Sequence, residues 1–512
     1  MNSTVSIVIT IAVYLLAMLG IGFYYAGKNK DTEDFYLGGR KLGPLVTAMS
    51  AEASDMSSYL LMGLPGLAYL SGCAEVCWTV IGLASGTYIS WLIVAKRLRR
   101  YSKITDSLTI PQFFSHRFHD KKNILSAISA IVIIVFFVPY TASGFVGCGK
   151  LFSSLFGIDY TVTMIVSAVV VVAYTVAGGF MAASMTDFIQ SIIMTAALFF
   201  VLGFCVINAG GIGSVWENAK SLPGFSSLFT SYNETTGTAS AFTPLQIITT
   251  VSWGLGYLGM PHFLIRFMAI EDEKKLKVSR RVASVWVTIS MFVVVIIGIA
   301  GRVLSANGTI ATLSGSDTET LLVRVADVLA TKGALPAVMA GLILSGMLAS
   351  VMSTADSQLL QASSSVSQDI LRETFGLKLS DRVSMLIARG TVLVIAILGI
   401  ILARNPDSSV FGIVSFAWAG FGAAFGPVMV CALFWKRATT AGAVSGMVAG
   451  GVMVFVWKYL IKPMGGVFGI YELLPAFIVA LIAIVTVSLL TPKPEQSVEE
   501  EFALAASAAE IE

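Results

Sequence analysis

Residues 50–66 read Ser-Ala-Glu-Ala-Ser-Asp-Met-Ser-Ser-Tyr-Leu-Leu-Met-Gly-Leu-Pro-Gly. They sit inside an apolar run from about 44 to 70, long enough to cross a bilayer, yet its middle carries Glu52, Ser54, Asp55, Ser57 and Ser58. A carboxylate at the bilayer centre costs about 2.5–3.5 kcal/mol on insertion scales. Such groups persist where they face a partner, an ion or water. Gly63, Pro65 and Gly66 predict an interrupted helix, whose exposed carbonyls can coordinate a cation at membrane depth. The stretch reads as half of an ion and solute site.

The surrounding chain fits that reading. It has 512 residues, 56% hydrophobic and 12% charged, the balance of a polytopic membrane protein and not of a soluble domain. Apolar runs of spanning length occur near 5–26, 44–70, 75–95, 124–149, 159–179, 188–209, 243–265, 282–302, 333–360, 386–403, 408–435, 440–460 and 471–490. These predict an all-α bundle of about 13 transmembrane helices in a single domain, 1–490, followed by an acidic tail, 491–512, expected to be a mobile cytoplasmic end. The first run lacks a basic leader and is long enough to span, so no cleaved signal peptide is expected. Five cysteines lie in or near apolar runs and read as small buried residues. His116, His119 and His262 are the only histidines, too few and too scattered for a zinc site or a catalytic triad.

Basic residues set the expected orientation. With the N-terminus outside, inner loops hold 25 of the 33 Lys and Arg, among them Lys28, Lys30, Arg40, Lys41, the dense group from Lys96 to Lys122, and Arg266 to Arg281. Lys150 and Arg302 are among those left outside. The positive-inside rule therefore predicts an outer N-terminus and a cytoplasmic C-terminus.

Four polar groups fall at membrane depth. Beside the Glu52–Ser58 cluster, the ninth run carries Ser350, Ser353, Thr354, Asp356 and Ser357. Positions 350, 353, 354 and 357 share one helical face. A hydroxyl stripe can ligate a hard cation, or it can simply bond neighbouring helices and its own preceding turn. Asp356 shifts the balance toward an ion site, although hydration near a span end would also explain it. The seventh run holds Trp253, Gly254, Gly256, Tyr257, Gly259, Pro261 and His262. Glycines and a proline weaken the helix there, and aromatic walls beside free backbone suit a small amphipathic solute. Asp187 is either a functional carboxylate or a helix-start residue at the cytoplasmic surface. Spans 2 and 7 are both broken and lie five spans apart. That spacing predicts inverted repeats over spans 2–6 (about 44–209) and 7–11 (about 243–435).

At these residues the chain resembles the sodium/solute symporter family, and within it the bacterial proline carriers. The matching stretches are Leu-Gly-Gly-Arg-Lys-Leu-Gly-Pro (37–44), Ser-Asp-Met-Ser (54–57), Leu-Met-Gly-Leu-Pro-Gly (61–66), Ser-Trp-Gly-Leu-Gly-Tyr (252–257), Pro-His (261–262), Val-Met-Ser-Thr (351–354) and Ala-Trp-Ala-Gly-Phe-Gly-Ala-Ala-Phe-Gly-Pro (417–427). The resemblance implies a leucine-transporter-like core, a bacterial plasma-membrane location and sodium-coupled uptake of L-proline. It implies sodium ligands from the carbonyls of Ala53, Met56 and Ser350 and the hydroxyls of Ser353 and Thr354. It ties Asp55 and Asp187 to sodium coupling, Tyr140, Trp253, Tyr257 and Pro261 to proline with Ser57 nearby, and Arg40 to a sensitive cytoplasmic position. Asp356 and Ser357 are further candidates for a second cation. The chain departs from the family's pattern at Glu52 and Ser58, where many relatives carry Gly, and at Asp356, usually a small polar residue.

Two rivals follow from the same residues. One is a symporter of this family for another small solute. The other is a membrane ligand sensor, which would be expected to carry a signalling domain. An enzyme is not expected, since no His-Glu-x-x-His pair or serine-nucleophile motif is present.

Overall fold

The computed structural model describes residues 3–26 and 32–510, so the loop cations Lys28 and Lys30 lie outside the described residues. The chain begins with α1 (Ser3–Ala26), the short α2 (Thr32–Leu37), α3 (Pro44–Asp55), α4 (Leu64–Ser71) and α5 (Cys73–Ile89). It continues through α6 (Ala95–Ile104), α7 (Ile110–Arg117), α8 (Ile124–Phe156), α9 (Tyr160–Asn208) and α10 (Ile212–Ser221). A hairpin of β1 (Thr230–Asn233) and β2 (Thr238–Ala241) follows, with Thr230 opposite Ala241. Then come α11 (Pro244–Val251), α12 (Pro261–Ala269), α13 (Leu276–Ala306), α14 (Leu321–Ala330) and α15 (Ala334–Ser364). The last are α16 (Asp381–Leu402), α17 (Val410–Phe434), α18 (Thr440–Val456), α19 (Leu473–Leu490) and α20 (Gln496–Glu510).

Among the described residues, 10 helical stretches are long and apolar enough to cross a membrane, against about 13 predicted. The other three predicted runs are helical but divided or short. Residues 159–179 form the first part of α9, which changes direction at Gly179 (φ 71°, ψ −177°), a conformation only glycine adopts readily. Residues 243–265 fall into α11, a tighter turn over Ser252–Leu258, and α12. Residues 44–70 are broken as predicted, but at Met56–Ser57 and not at Gly63–Gly66. Pro65 comes just after a π-helical turn over Tyr59–Gly63, and the helix runs on through it to Ser71. Gly63 stays helical under Phe411, and Gly66 lies against the backbone of Thr318 and Glu319.

The core is built around α15, which packs on α9, α1, α8 and α3, while α17 packs on α8, α18, α19 and the 252–258 turn. The turn lies backbone to backbone on α5: a Cβ at Gly86 would stand 2.3 Å from the Gly254 Cα. One difference concerns the tail, which is a docked helix and not a mobile end. Val498, Phe502 and Ala505 share one face of α20, and this face lies on α6 with Val498 and Ala505 buried. Phe502 lies 5.0 Å from the Arg117 guanidinium, and ion pairs join Glu501 to His119 (3.1 Å) and Glu495 to Lys121 (2.7 Å).

Candidate functional site: a broken helix facing a hydroxyl stripe

The chain turns out of α3 after Asp55. The Met56 N–H still reaches the Glu52 carbonyl (2.8 Å), and the Ser57 N–H turns back to the Asp55 carbonyl (2.8 Å). The carbonyl of Ala53 is left to point away from its helix, where the Ser353 hydroxyl of α15 donates to it at 2.8 Å. The Ser350 carbonyl joins this group, accepting from Thr354 Oγ1 (3.2 Å) and Ser353 Oγ (3.4 Å). Four of the five predicted sodium ligands are thus brought together by residues 300 apart in sequence. The fifth, Met56, is buried at the break, its sulfur accepting from the Tyr59 hydroxyl. The oxygens are hard, uncharged or partly charged donors, the type a hard monovalent cation takes.

Beside them, Asp55 Oδ2 accepts from the Tyr257 hydroxyl (2.7 Å), and the Tyr140 hydroxyl makes a long bond to the Asp55 carbonyl (3.4 Å). Ser57 Oγ accepts from the Tyr59 N–H at 3.4 Å. Pro261 opens α12 directly after the extended Met260. Trp253 belongs to a neighbouring aromatic group: it stacks on Tyr471 (5.0 Å, 18°), and its carbonyl accepts from the Trp418 indole (2.8 Å). Trp418 in turn meets Tyr257 edge-on at 5.1 Å. Tyr140, Tyr257 and Asp55 therefore meet directly, while Trp253 joins them through Trp418. Glu52 lies on the α5 side, with Oε1 accepting from Thr87 Oγ1 (2.7 Å) and Trp91 Nε1 (2.8 Å).

The structure corrects three expectations about charge. Asp187 is no surface carboxylate; it is fully buried within α9, accepting from Ser50 Oγ (2.7 Å) and Arg266 Nη2 (3.1 Å). Arg266, counted as a loop cation, is 1% exposed on α12 and also binds Ser357 Oγ (2.5 Å) and the His262 carbonyl. Asp356 is not hydrated at a span end but buried beside Ser357 (3.1 Å), with Asp187 and Arg266 as its charged neighbours. Among the described residues, Asp187 Oδ1 and Asp356 Oδ2 have no hydrogen-bond partner. Sequence reasoning missed Arg266 because the predicted span stopped at 265; its spacing from His262, one helical turn, was the available signal. Lys150, also assigned to a loop, is buried on α8.

Arg40 lies away from this group. Its guanidinium donates to the Ser102 and Ser107 carbonyls (3.2 and 2.8 Å) and to the Met268 carbonyl (3.1 Å), tying the end of α12 to the α6–α7 connection. Burial, and then the nearby Arg99, lower its pKa from the usual arginine value.

The sequence profile of the sodium:solute symporter family matches residues 35–450. The sodium/proline symporter of Staphylococcus aureus strain USA300 is 41% identical over 502 residues, covering 96% of this chain and 94% of that one. The same protein from strain NCTC 8325 matches to the same extent. A sodium-coupled sialic acid symporter, solved substrate-bound and outward-open, superposes with a TM-score of 0.77 at 20% identity, covering 96% of this chain and 99% of that one. Mhp1, a nucleobase-cation-symport-1 family transporter solved closed with bromovinylhydantoin, gives 0.56 at 14% identity over 93% of this chain and 99% of the other. These two establish a shared fold. The profile covers most of the chain and the relatives nearly all of it, so this protein belongs to the sodium:solute symporter family and is a sodium-coupled membrane transporter, not an enzyme.

Proposed function

We propose that the protein carries L-proline into the cell together with sodium by alternating access. The observation that carries this reading is the Ala53 carbonyl, released by the break in α3 and accepting from the Ser353 hydroxyl, which also lies against the Ser350 carbonyl. Sodium would be held by these oxygens with Met56 and Thr354, and proline by Tyr140, Tyr257, Pro261 and Ser57, with Trp253 as an outer aromatic wall. Asp55 would couple the two sites through Tyr257 and the break. Asp187, Asp356 and Ser357 are candidates for a second cation, and Arg40 for the inner gate. Inward sodium movement through 100 mV releases about 2.3 kcal/mol per charge, enough to concentrate a neutral solute nearly fiftyfold.

The finer architecture belongs to the same proposal. Thirteen spans would form one domain, 1–490, with halves 44–209 and 243–435 inserted in opposite senses. The N-terminus would lie outside the plasma membrane of a bacterium and the α20 tail inside. The 41% identity to the proline carrier supports the choice of solute. Glu52 and Ser58 favour a second reading, another small amino acid or organic solute, because Glu52 Oε2 is buried without a partner among the described residues.

Counterflow in proteoliposomes against a panel of amino acids, with and without sodium, separates these readings. Proline exchange that requires sodium is expected; exchange of another solute in its place overturns the assignment. Ser353→Ala should raise the sodium concentration for half-maximal uptake about tenfold, since it removes an oxygen ligand and leaves the solute contacts intact.

A further inference from the structure

On the reading above, Trp253 is the outer wall of the site, and the segment that covers it belongs to neither proposed repeat. The connection between α18 and α19, residues 457–472, makes a π-helical turn over Trp457–Ile461 and tight turns over Lys462–Met464 and Gly466–Phe468. At its end the Tyr471 ring stacks on Trp253, with centroids 5.0 Å and planes 18° apart. Phe411, in the first turn of α17, meets the same indole at 5.3 Å. So covered, Trp253 is 4% exposed. A side chain packed that closely cannot change rotamer until its cover moves.

The base of this connection is pinned and its tip is free. The Tyr471 hydroxyl donates to the Ser415 carbonyl of α17 (2.7 Å), Trp457 Nε1 to the Ile470 carbonyl (3.3 Å) and Lys462 Nζ to Glu472 Oε2 (3.0 Å). At the tip Gly465 and Gly466 have φ of 73° and 59°, and nothing lies within 4 Å of where their Cβ atoms would stand. Met464 and Val467 beside them are exposed. One helix serves both rings of the stack: α17 holds Tyr471 through Ser415 and the Trp253 carbonyl through the Trp418 indole (2.8 Å). A ring stack and a neutral hydrogen bond are each weak, so they can part and re-form within a transport cycle.

We propose that the α18–α19 connection is an outer lid of the transport path, with Tyr471 as the positioning residue through which it holds Trp253 closed. The lid opens when Tyr471 leaves both Trp253 and the Ser415 carbonyl, and it remakes these contacts behind the entering solute. This rests on the reading of the site as one that solute reaches past Trp253 from the side of residues 457–472. A lid that touches the wall and not the solute sets the rates of entry and exit more than the affinity.

The test uses the full-length protein in nanodiscs at saturating sodium, with two readouts. The first is the association and dissociation rates of labelled L-proline. Tyr471→Leu, which loses the stack and the hydroxyl, should raise both rates about tenfold and leave the affinity within about threefold. Tyr471→Phe keeps the stack and should change the rates by about threefold or less. The second readout needs no solute. Phe411→Cys places a thiol beside Trp253, and its modification by a maleimide is followed by peptide mass spectrometry. Adding Tyr471→Leu should speed that modification about tenfold. Sodium-dependent thermal stabilisation reports folding. If Tyr471→Leu fails that check, Lys462→Gln, which cuts only the clip to Glu472, decides the question: modification should be about threefold faster, and no change overturns the lid. A faster dissociation with an unchanged association rate would make Tyr471 part of the solute wall and overturn the proposal. An unchanged rate of thiol modification in Tyr471→Leu would overturn it as well. If the parent protein binds no proline in sodium, the functional reading fails, and the thiol readout still decides the lid.

Discussion

Two buried ion clusters sit in this fold, and they are built differently. Lys150 on α8 meets Glu319, before α14, at 2.7 Å, with the side chains 6% and 5% exposed. Glu319 also accepts from Ser409 Oγ (2.9 Å) and from the amides of Val410 and Phe411 (both 3.1 Å), while Lys150 donates on to the Ser408 carbonyl (2.8 Å). Both carboxylate oxygens are used, and the first turn of α17 is capped. At Arg266 the counting is reversed. One guanidinium serves Asp187, and among the described residues Asp356 nearby bonds only to Ser357 and each carboxylate keeps an unpartnered oxygen. A polar network that is complete fixes one arrangement, and one that is incomplete accepts another charge or gives way. The first cluster is a clamp between segments, and the second, on the proposal made above, is where a cation would bind.

The largest effect should come from opening the complete cluster. Glu319→Ala strands a buried ammonium and uncaps α17, and should cost about 3–5 kcal/mol, read as a large drop in thermal midpoint that sodium does not restore. Sodium-dependent recovery there would erase the distinction between the clusters. Arg266→Gln should cost less, about 1–3 kcal/mol at saturating sodium, because Asp187 and Asp356 would then exchange the lost guanidinium for another cation. Its thermal midpoint should rise with sodium more steeply than that of the parent. A loss independent of sodium would put both clusters in the same class.

The smallest effect belongs to a partly exposed pair at the end of the bundle. His116 on α7 lies 3.4 Å from Glu373, with its side chain 37% exposed. The hydrogen bond to Glu373 raises the pKa of His116 from its ordinary value. A raised folded pKa means that the stabilisation is complete below the unfolded value of about 6.5 and is lost as pH rises through the folded value. Solvent screening holds it under about 1 kcal/mol. Between pH 6 and 8.5 the midpoint of the parent should fall slightly relative to His116→Gln; parallel profiles would remove the pair from the account.

Much of this was legible in the sequence, and the residues show where reading stopped. The stripe at 350, 353, 354 and 357 is a local pattern, and it does face the break. Hydropathy placed the helices but misjudged the break by several residues, because a proline after a π-helical turn and a glycine under Phe411 do not interrupt this helix. Charge was hardest. Arg266 and Asp187 are 79 residues apart and Lys150 and Glu319 are 169 apart, so only the fold makes them partners. A count of loop cations takes each as solvated until its partner is seen.

The docked α20 can also be viewed as a tethered ligand. Only residues 491–495 separate it from α19, and a linker that short holds a helix near its seat at an effective concentration in the millimolar range. A free peptide with the α20 sequence would therefore compete poorly with the attached one. Cutting the chain at Thr491 would turn an intramolecular contact into an ordinary bimolecular equilibrium, leaving Arg117 and the α6 surface to bind whatever acidic amphipathic helix is abundant enough to replace it.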